Sequence, residues 1–419
     1  MTRTVRRVPY NWARNVRFTP SDVQRPTSMA ELQQLVARSD RAHALGSGHS
    51  FNRIGDTTGE LISVAELPQF IAIDESSMTV TTGAGVRYGA LGAHLHQRGY
   101  ALRNLASLPH ISIAGAVATA THGSGVANAN LAAAVRGQEL VLADGSIRTI
   151  SQSDAEFNGS VVGLGALGIV TNLTLEIVDT FDVRQYVYDN LPMDAFYDHT
   201  DEILGAAYSV SLFTDWRAPR FNNVWLKQLT RDAPPDPGWM GATAADGPRH
   251  PVPGADPQAC SQQGGVPGPW HDRLPHFRLE FTPSNGDELQ SEFLLPLASA
   301  RAAIEALAEI APRIAPALLI CEIRTVAADD LWLSTSYGRD SCAVHFTWRQ
   351  DAEAVDLALA EIETVLEPFA PRPHWGKVFN TDPEVLAGRY PRFGDFQQLR
   401  HRYDPGHKFG NDLLERLLG

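Results

Sequence analysis

The sequence predicts an α+β protein with two domains, and three observations carry that reading. The first 179 residues mix short strands with short helices and show no regular β-α-β alternation. After Asp179 the composition shifts to segments that read as strands of an antiparallel sheet, set apart from two helices. The length of 419 residues also exceeds what one core fills, since domains run to about 150 residues.

In chain order, Ser28 followed by Glu31 forms a capping box, and Leu32, Leu35 and Val36 share one face of a helix ending near Ser39. A strand over 42–45 leads into the turn Gly46-Ser47-Gly48-His49-Ser50. Residues 79–82 read as a strand, and Tyr88, Leu91 and Leu95 lie at helical spacing before a stop at Gly99. Segments 139–143 and 146–150 flank Asp144-Gly145, which predicts a type I′ hairpin. Ser153 with Glu156 opens a further capped helix, and 168–179 alternates as a strand does. In the second domain 208–215, 224–229, 276–282, 317–326 and 342–349 read as strands, with helices near 298–310 and 353–366. Between 231 and 270 stand nine prolines and seven glycines, too many for regular structure. Trp239, Val252, Cys260 and Trp270 let this stretch pack as a long surface excursion.

Charged residues at 20% and hydrophobic residues at 43% are ordinary globular usage, which excludes a disordered or fibrous chain. A net charge of -13 with no basic patch argues against nucleic acid or anionic lipid as partner. Cys260, Cys321 and Cys342 are odd in number and lack C-x-x-C spacing, so neither a disulfide framework nor a zinc ribbon is expected. No apolar run follows the N-terminal arginines, and the richest later stretch, 297–321, is broken by Arg301, Glu305, Glu309, Pro312, Arg313 and Pro316. The expectation is a cytoplasmic, monomeric protein without a membrane span. His94 and His96 fall on different faces of a helix, so no metal site is expected there or elsewhere.

Gly163-Leu-Gly-Ala-Leu-Gly168 fits the G-x-G-x-x-G fingerprint of nicotinamide enzymes, but its context is wrong. A helical segment precedes it and a strand follows, the reverse of what the fingerprint needs, so close backbone packing is the expected role. The turn Ala44-Leu45-Gly46-Ser47-Gly48-His49-Ser50 follows a strand, and its small residues let backbone N–H groups converge on an anion such as a pyrophosphate. A second small-residue segment, Ser107 through Ser112 and Ala114 to Gly125, offers backbone and hydroxyl donors with little bulk, as a large flat cofactor requires. Together the two segments point to a nucleotide cofactor. Alternation also places Glu322 with Arg324 on one strand face and His345 with Thr347 on another; periodicity alone favours a wetted outer sheet face slightly over a pocket.

GSGHSFN at 46–52 and SLPHISIAGAVATATHGSG at 107–125 resemble the flavoproteins of the vanillyl-alcohol oxidase type, and more narrowly the alditol oxidases, near the aldonolactone oxidases. The likeness continues in HFRLEFTPSNGDELQSEFLLP at 276–296, HWGK at 374–377 and YPRFGDFQQLRHRYDPGHKF at 390–409. It implies an FAD-binding domain in two pieces, 1–179 and 377–419, enclosing a substrate-binding cap domain at 180–376. It implies that His49 is joined covalently to the flavin 8α-methyl group, and that FAD is held by Ala44, Leu45, Gly46, Ser47, Gly48, His49, Ser50, Ser107, Ser112, Gly115, Thr119, Thr121, His122 and Ile169. By the same resemblance Glu322, Arg324, Thr347 and Lys377 line a polyol pocket with Ser107 and His345 nearby, and Glu322, Arg324, His345 and Lys377 act in catalysis.

The implied reaction oxidises the terminal primary alcohol of xylitol or sorbitol to the aldose, with hydride passing to flavin N5 and molecular oxygen reduced to hydrogen peroxide. His345, Lys377 or a water stand as possible proton acceptors. The rival readings are an aldonolactone oxidase or dehydrogenase of the same architecture and a non-catalytic sugar-binding protein. HWGK followed by Val378-Phe379, with the long 276–292 string, favours the polyol enzyme.

Overall fold

The capping box forms as its spacing predicts. Ser28 accepts from the backbone N–H of Glu31, and the helix Met29–Arg38 buries Leu32, Leu35 and Val36. In the computed structural model, which describes residues 10–236, 238–281 and 286–419, this helix covers a small parallel sheet. The strand Glu60–Ile62 lies at its centre between Asp22–Gln24 and Ala42–Ala44. A second, antiparallel sheet of five strands runs in the order Ile71–Asp74, Thr79–Gly83, Ile169–Glu176, Val135–Val141, Ile147–Ser151. Buried and half-buried residues alternate strictly along Ile169–Glu176, so one face of that sheet enters the core.

The second half of the chain builds one large antiparallel sheet of nine strands among the described residues. Its path is Thr243–Ala244, Asp182–Pro192, Arg220–Leu229, Ser209–Thr214, Leu318–Val326, Ser341–Arg349, Glu288–Pro296 and Arg372–Pro373, with Gly268–Pro269 beside Asp182–Pro192. The amphipathic helices Ala300–Ile314 and Ala352–Leu366 bury Ala303, Ile304, Leu307, Leu359 and Ile362 in the core they share with this sheet. The opposite face carries polar side chains toward the first domain. The chain then returns: Ala42 donates its backbone N–H to Lys408 O, and Phe409 enters the core of the parallel sheet.

Four expectations need correction. Segment 276–282 is no strand: Phe277 makes one isolated bridge to Cys260, and Thr282 lies outside the described residues. The strands Ile71–Asp74, Asp182–Pro192 and Glu288–Pro296 escaped the reading. The hairpin at Asp144-Gly145 is not type I′, which needs two residues at positive φ; only Gly145 has one, and its N–H closes the turn on Leu142 O. Ser153 caps nothing, because Asp154 accepts from the Ser151 N–H and only the short helix Phe157–Ser160 follows. Among the described residues no helix is long and apolar enough to cross a membrane. All three cysteines are buried and free.

Candidate active site

The loop after Ala42–Ala44 and the segment 107–122 face each other across a cleft of about 440 Å³ that continues beneath the large sheet. The two small-residue segments touch: Ser112 donates its N–H to Ser47 Oγ at 3.3 Å, and a Cβ on Gly46 would stand 2.6 Å from Ser112 Oγ. Lining side chains here are small or apolar, and His49 Nδ1 and Ser112 Oγ are buried without a hydrogen-bond partner. Such a lining fits a long, flat dinucleotide, and FAD would be held by these loops. The His49 ring stacks on Trp12 at 5.3 Å between centroids, and Trp12 donates its backbone N–H to Gly48 O at 2.7 Å. Burial foremost, then His110 and Arg87, lowers the imidazole to about 4, so the ring is a neutral nucleophile at ordinary pH.

Ala44, Leu45, Gly46, Ser47, Gly48, Ser50, Ser107, Gly115, Thr119, Thr121 and His122 line the same cleft. Ile169 does not. Strand alternation turns its side chain down into the core beside Val141 and Phe409, and Val170 faces the cleft in its place. The Gly163–Gly168 turn, expected to serve packing alone, also lines the cleft.

The large sheet supplies the other wall. Register places Glu322, His345 and Glu292 side by side on three neighbouring strands, about 4.8 Å apart from strand to strand. One step along lie Ile320, Thr347 and Gln290. Lys377 Nζ donates to Glu292 Oε2 at 2.6 Å and lies 2.7 Å from His345 Nδ1, while His345 Nε2 is 3.1 Å from Thr347 Oγ1. Arg324 donates through Nη2 to Glu292 Oε1 at 2.8 Å and through Nη1 to Ser107 Oγ at 3.4 Å. His122 Nε2 stands 3.3 Å from Glu292 Oε1, and His276 Nε2 is 2.7 Å from Glu322 Oε1. The wetted-face alternative is therefore closed: eight of the nine residues of Ser341–Arg349 are buried.

Burial by itself would raise both acids, but the surrounding charges and imidazole hydrogen bonds outweigh it. Lys377, His122 and Arg324 hold Glu292 well below the usual carboxylate range, and Arg324 with His276 does the same for Glu322. Arg324 is raised despite its burial because it faces two carboxylates. Burial lowers Lys377 below an ordinary lysine, with Arg324 adding to the effect, and lowers His345 to about 3 with help from Lys377. The result is a pocket of fixed charges and neutral imidazoles, able to donate to and accept from several hydroxyls at once.

Glu292, His276 and His374 also line this wall and were missed. The signal for Glu292 was present: Glu288, Gln290 and Glu292 alternate with Leu289, Ser291 and Phe293. His276 and His374 lie in short irregular segments that carry no period. The proline-rich excursion closes one side, with His250, Pro251 and Val252 in the lining. Arg249 pins it, forking onto Asp189 at 2.8 to 3.2 Å while its backbone pairs with the Gln263 amide.

Residues 20–151 match the model of the FAD binding domain, and 287–417 match that of D-arabinono-1,4-lactone oxidase. The chain is 51% identical to an alditol oxidase of Streptomyces sp. over 97% of its length and 98% of that protein. It is 31% identical to an L-gulono-1,4-lactone dehydrogenase of Mycobacterium tuberculosis, covering 98% of both. Among solved structures, a cholesterol oxidase from B. sterolicum superposes with a TM-score of 0.78 at 13% identity, over 98% of this chain and 96% of that one. That likeness shows a shared fold, the two-domain vanillyl-alcohol oxidase type. With the FAD cleft, the charged wall above it and an alditol oxidase half identical over nearly its whole length, the chain belongs to the alditol oxidase family of FAD-dependent oxidoreductases, with the aldonolactone oxidases as more distant relatives.

Proposed function

We propose that this protein oxidises the terminal primary alcohol of alditols such as xylitol and sorbitol to the aldose, with oxygen reduced to hydrogen peroxide. The observation that carries the reading is the convergence of Glu292, Glu322, Arg324, His345, Thr347 and Lys377 on the cleft wall facing Ser107. A polyol presents only hydroxyls, and a wall of fixed donors and acceptors rejects analogues that leave those groups unpaired. Bound FAD supplies a two-electron acceptor that takes hydride from substrate C1 and passes the electrons to oxygen. The two pieces 1–179 and 377–419 hold it, and 180–376 supplies the wall apart from Lys377, which the second piece contributes.

In this scheme Glu322 accepts from substrate hydroxyls, and Thr347 adds a neutral partner. Arg324 donates to O1 as negative charge develops there. The O1 proton goes to Lys377 Nζ. With that amine neutral, two carboxylates face one guanidinium, and the excess negative charge draws the proton in. His345 keeps its own proton on Nε2, toward Thr347, and orients Lys377 through Nδ1.

His49 carries the cofactor covalently in this reading. An imidazole nitrogen would hold the flavin through its 8α-methyl carbon, a coupling that gives up two hydrogens and for which molecular oxygen would serve as the two-electron acceptor, becoming hydrogen peroxide. The buried, unpartnered and neutral ring supports this role.

The deciding experiment adds xylitol or sorbitol to the yellow protein under nitrogen. Bleaching of the flavin absorbance is the expected result. Bleaching by gulonolactone but by neither polyol moves the protein to the lactone oxidases, and a colourless preparation that cannot be reconstituted ends the flavin reading.

A further inference from the structure

Lys227, on the strand Arg220–Leu229, is a fully buried amine with no part in the scheme above. Among the described residues no carboxylate pairs with it. Its Nζ donates to Leu274 O at 2.5 Å and Pro275 O at 2.9 Å, and lies 3.2 Å from His276 Nδ1. Three acceptors thus surround a group whose charged form has three protons to give and no lone pair. The ionised Glu322 carboxylate can only accept from His276 Nε2, 2.7 Å from its Oε1, so the ring proton sits on Nε2 and Nδ1 is left to accept from the amine in either of its protonation states. Phe213 and Trp225 meet the ring at 5.7 and 5.1 Å between centroids, so it has little room to turn. The same segment grips the first domain: His276 and Phe277 donate their backbone N–H groups to Ser107 O at 3.0 and 3.2 Å. Burying an amine is costly, and burial, only partly offset by the Glu322 charge, pulls this one down to about 7.

We infer that Lys227 is a positioning residue: it fixes His276 as the Nε2–H tautomer, and His276 in turn holds the Glu322 carboxylate ionised and aimed into the cleft beside Ser107. The inference rests on the polyol reading for its kinetic consequence, but not for the tautomer itself.

In the FAD-loaded enzyme, Lys227→Met is expected to raise KM for xylitol about tenfold while kcat stays within about threefold and the flavin spectrum is unchanged. His276→Gln keeps an amide N–H for Glu322 that needs no lysine behind it, so in that background Lys227→Met is expected to change KM less than about twofold. An equal effect in both backgrounds makes Lys227 a purely structural residue and overturns the inference. Should Lys227→Met not fold, His276→Leu is expected to raise KM at least about fivefold more than His276→Gln, and equal losses overturn it. Imidazole nitrogen shifts of His276 in the parent enzyme test the tautomer without any turnover. A proton on Nδ1 sinks the inference, whereas an Nε2–H tautomer in an enzyme inert on xylitol sinks the polyol reading instead.

Discussion

Lys377 touches both an acid and an imidazole, at 2.6 Å and 2.7 Å, and is less buried than Glu292, Glu322 or Arg324. Removing it as Lys377→Met is expected to lower kcat for xylitol by about a hundredfold or more, the usual scale of general acid–base catalysis, with the flavin spectrum intact. Its lowered pKa also sets the sign of the pH dependence. Activity should rise with pH as the amine loses its proton, with a midpoint below the ordinary lysine value of about 10.4, and that limb should disappear in Lys377→Arg. His49→Ala should abolish flavin fluorescence on a denaturing gel; a band that persists would refute the covalent assignment. These residues were unequally legible. Glu322, Arg324, His345 and Thr347 show their shared faces by alternation, but nothing periodic marks Lys377, which depended on family likeness. The Ile169 side chain turns away from the cleft because neighbouring residues of one strand face opposite ways, and Val170 is the one that faces it.

At the level of elements, the Gly163–Gly168 turn explains itself by backbone proximity. Gly168 sits at φ +155, where a Cβ would meet Val141 O at 2.7 Å. Gly168→Ala should therefore cost about 1–3 kcal/mol in a urea titration, while Gly388→Ala, with open space around it, should cost nothing measurable. The excursion 231–270 is a wall of the cleft rather than a remote flap, and Arg249 is its pin. Arg249→Met should raise KM for polyols about threefold or more and leave kcat within about twofold, since no group acting on C1 is disturbed. Composition revealed that this stretch is irregular but not where it packs, because its anchors are single side chains on distant strands. Glu288–Pro296 was overlooked as a strand for a different reason: it alternates only as far as Phe293, and from Glu292 to Leu295 every residue is buried, so the period fades in its second half.

For the molecule as a whole, buried neutral histidines decide how acid is tolerated. His276 stays neutral down to about 4 and His345 to about 3, whereas each would titrate near 6.5 in the unfolded chain. The unfolded state therefore binds more protons through this interval, so stability is complete above 6.5 and falls as pH drops toward 4. Below 4.5 the depressed Glu292 and Glu322 carboxylates steepen the loss. Urea midpoints of the FAD-loaded protein should follow that course, and His276→Gln should flatten its upper part. The two-domain α+β plan was readable from composition and period. The meeting of the domains at Ser107, Arg324 and His276 was not, because it joins residues more than 160 positions apart through one or two hydrogen bonds.

The carboxyl-terminal return has a consequence for synthesis. Lys408 ties Val36 O to Ala143 O, His43 Nδ1 rests on Phe409 O, and Asn411 donates to Ile54 O and Asp56 O. A nascent chain that has emerged from the ribosome only as far as residue 376 owns the whole charged sheet yet lacks the amine beside Glu292 and every one of these braces. The oxidising centre is thus withheld until residues 377–411 have followed the sheet out, and a chain stopped before them would bring a half-built cleft with no means of completing it.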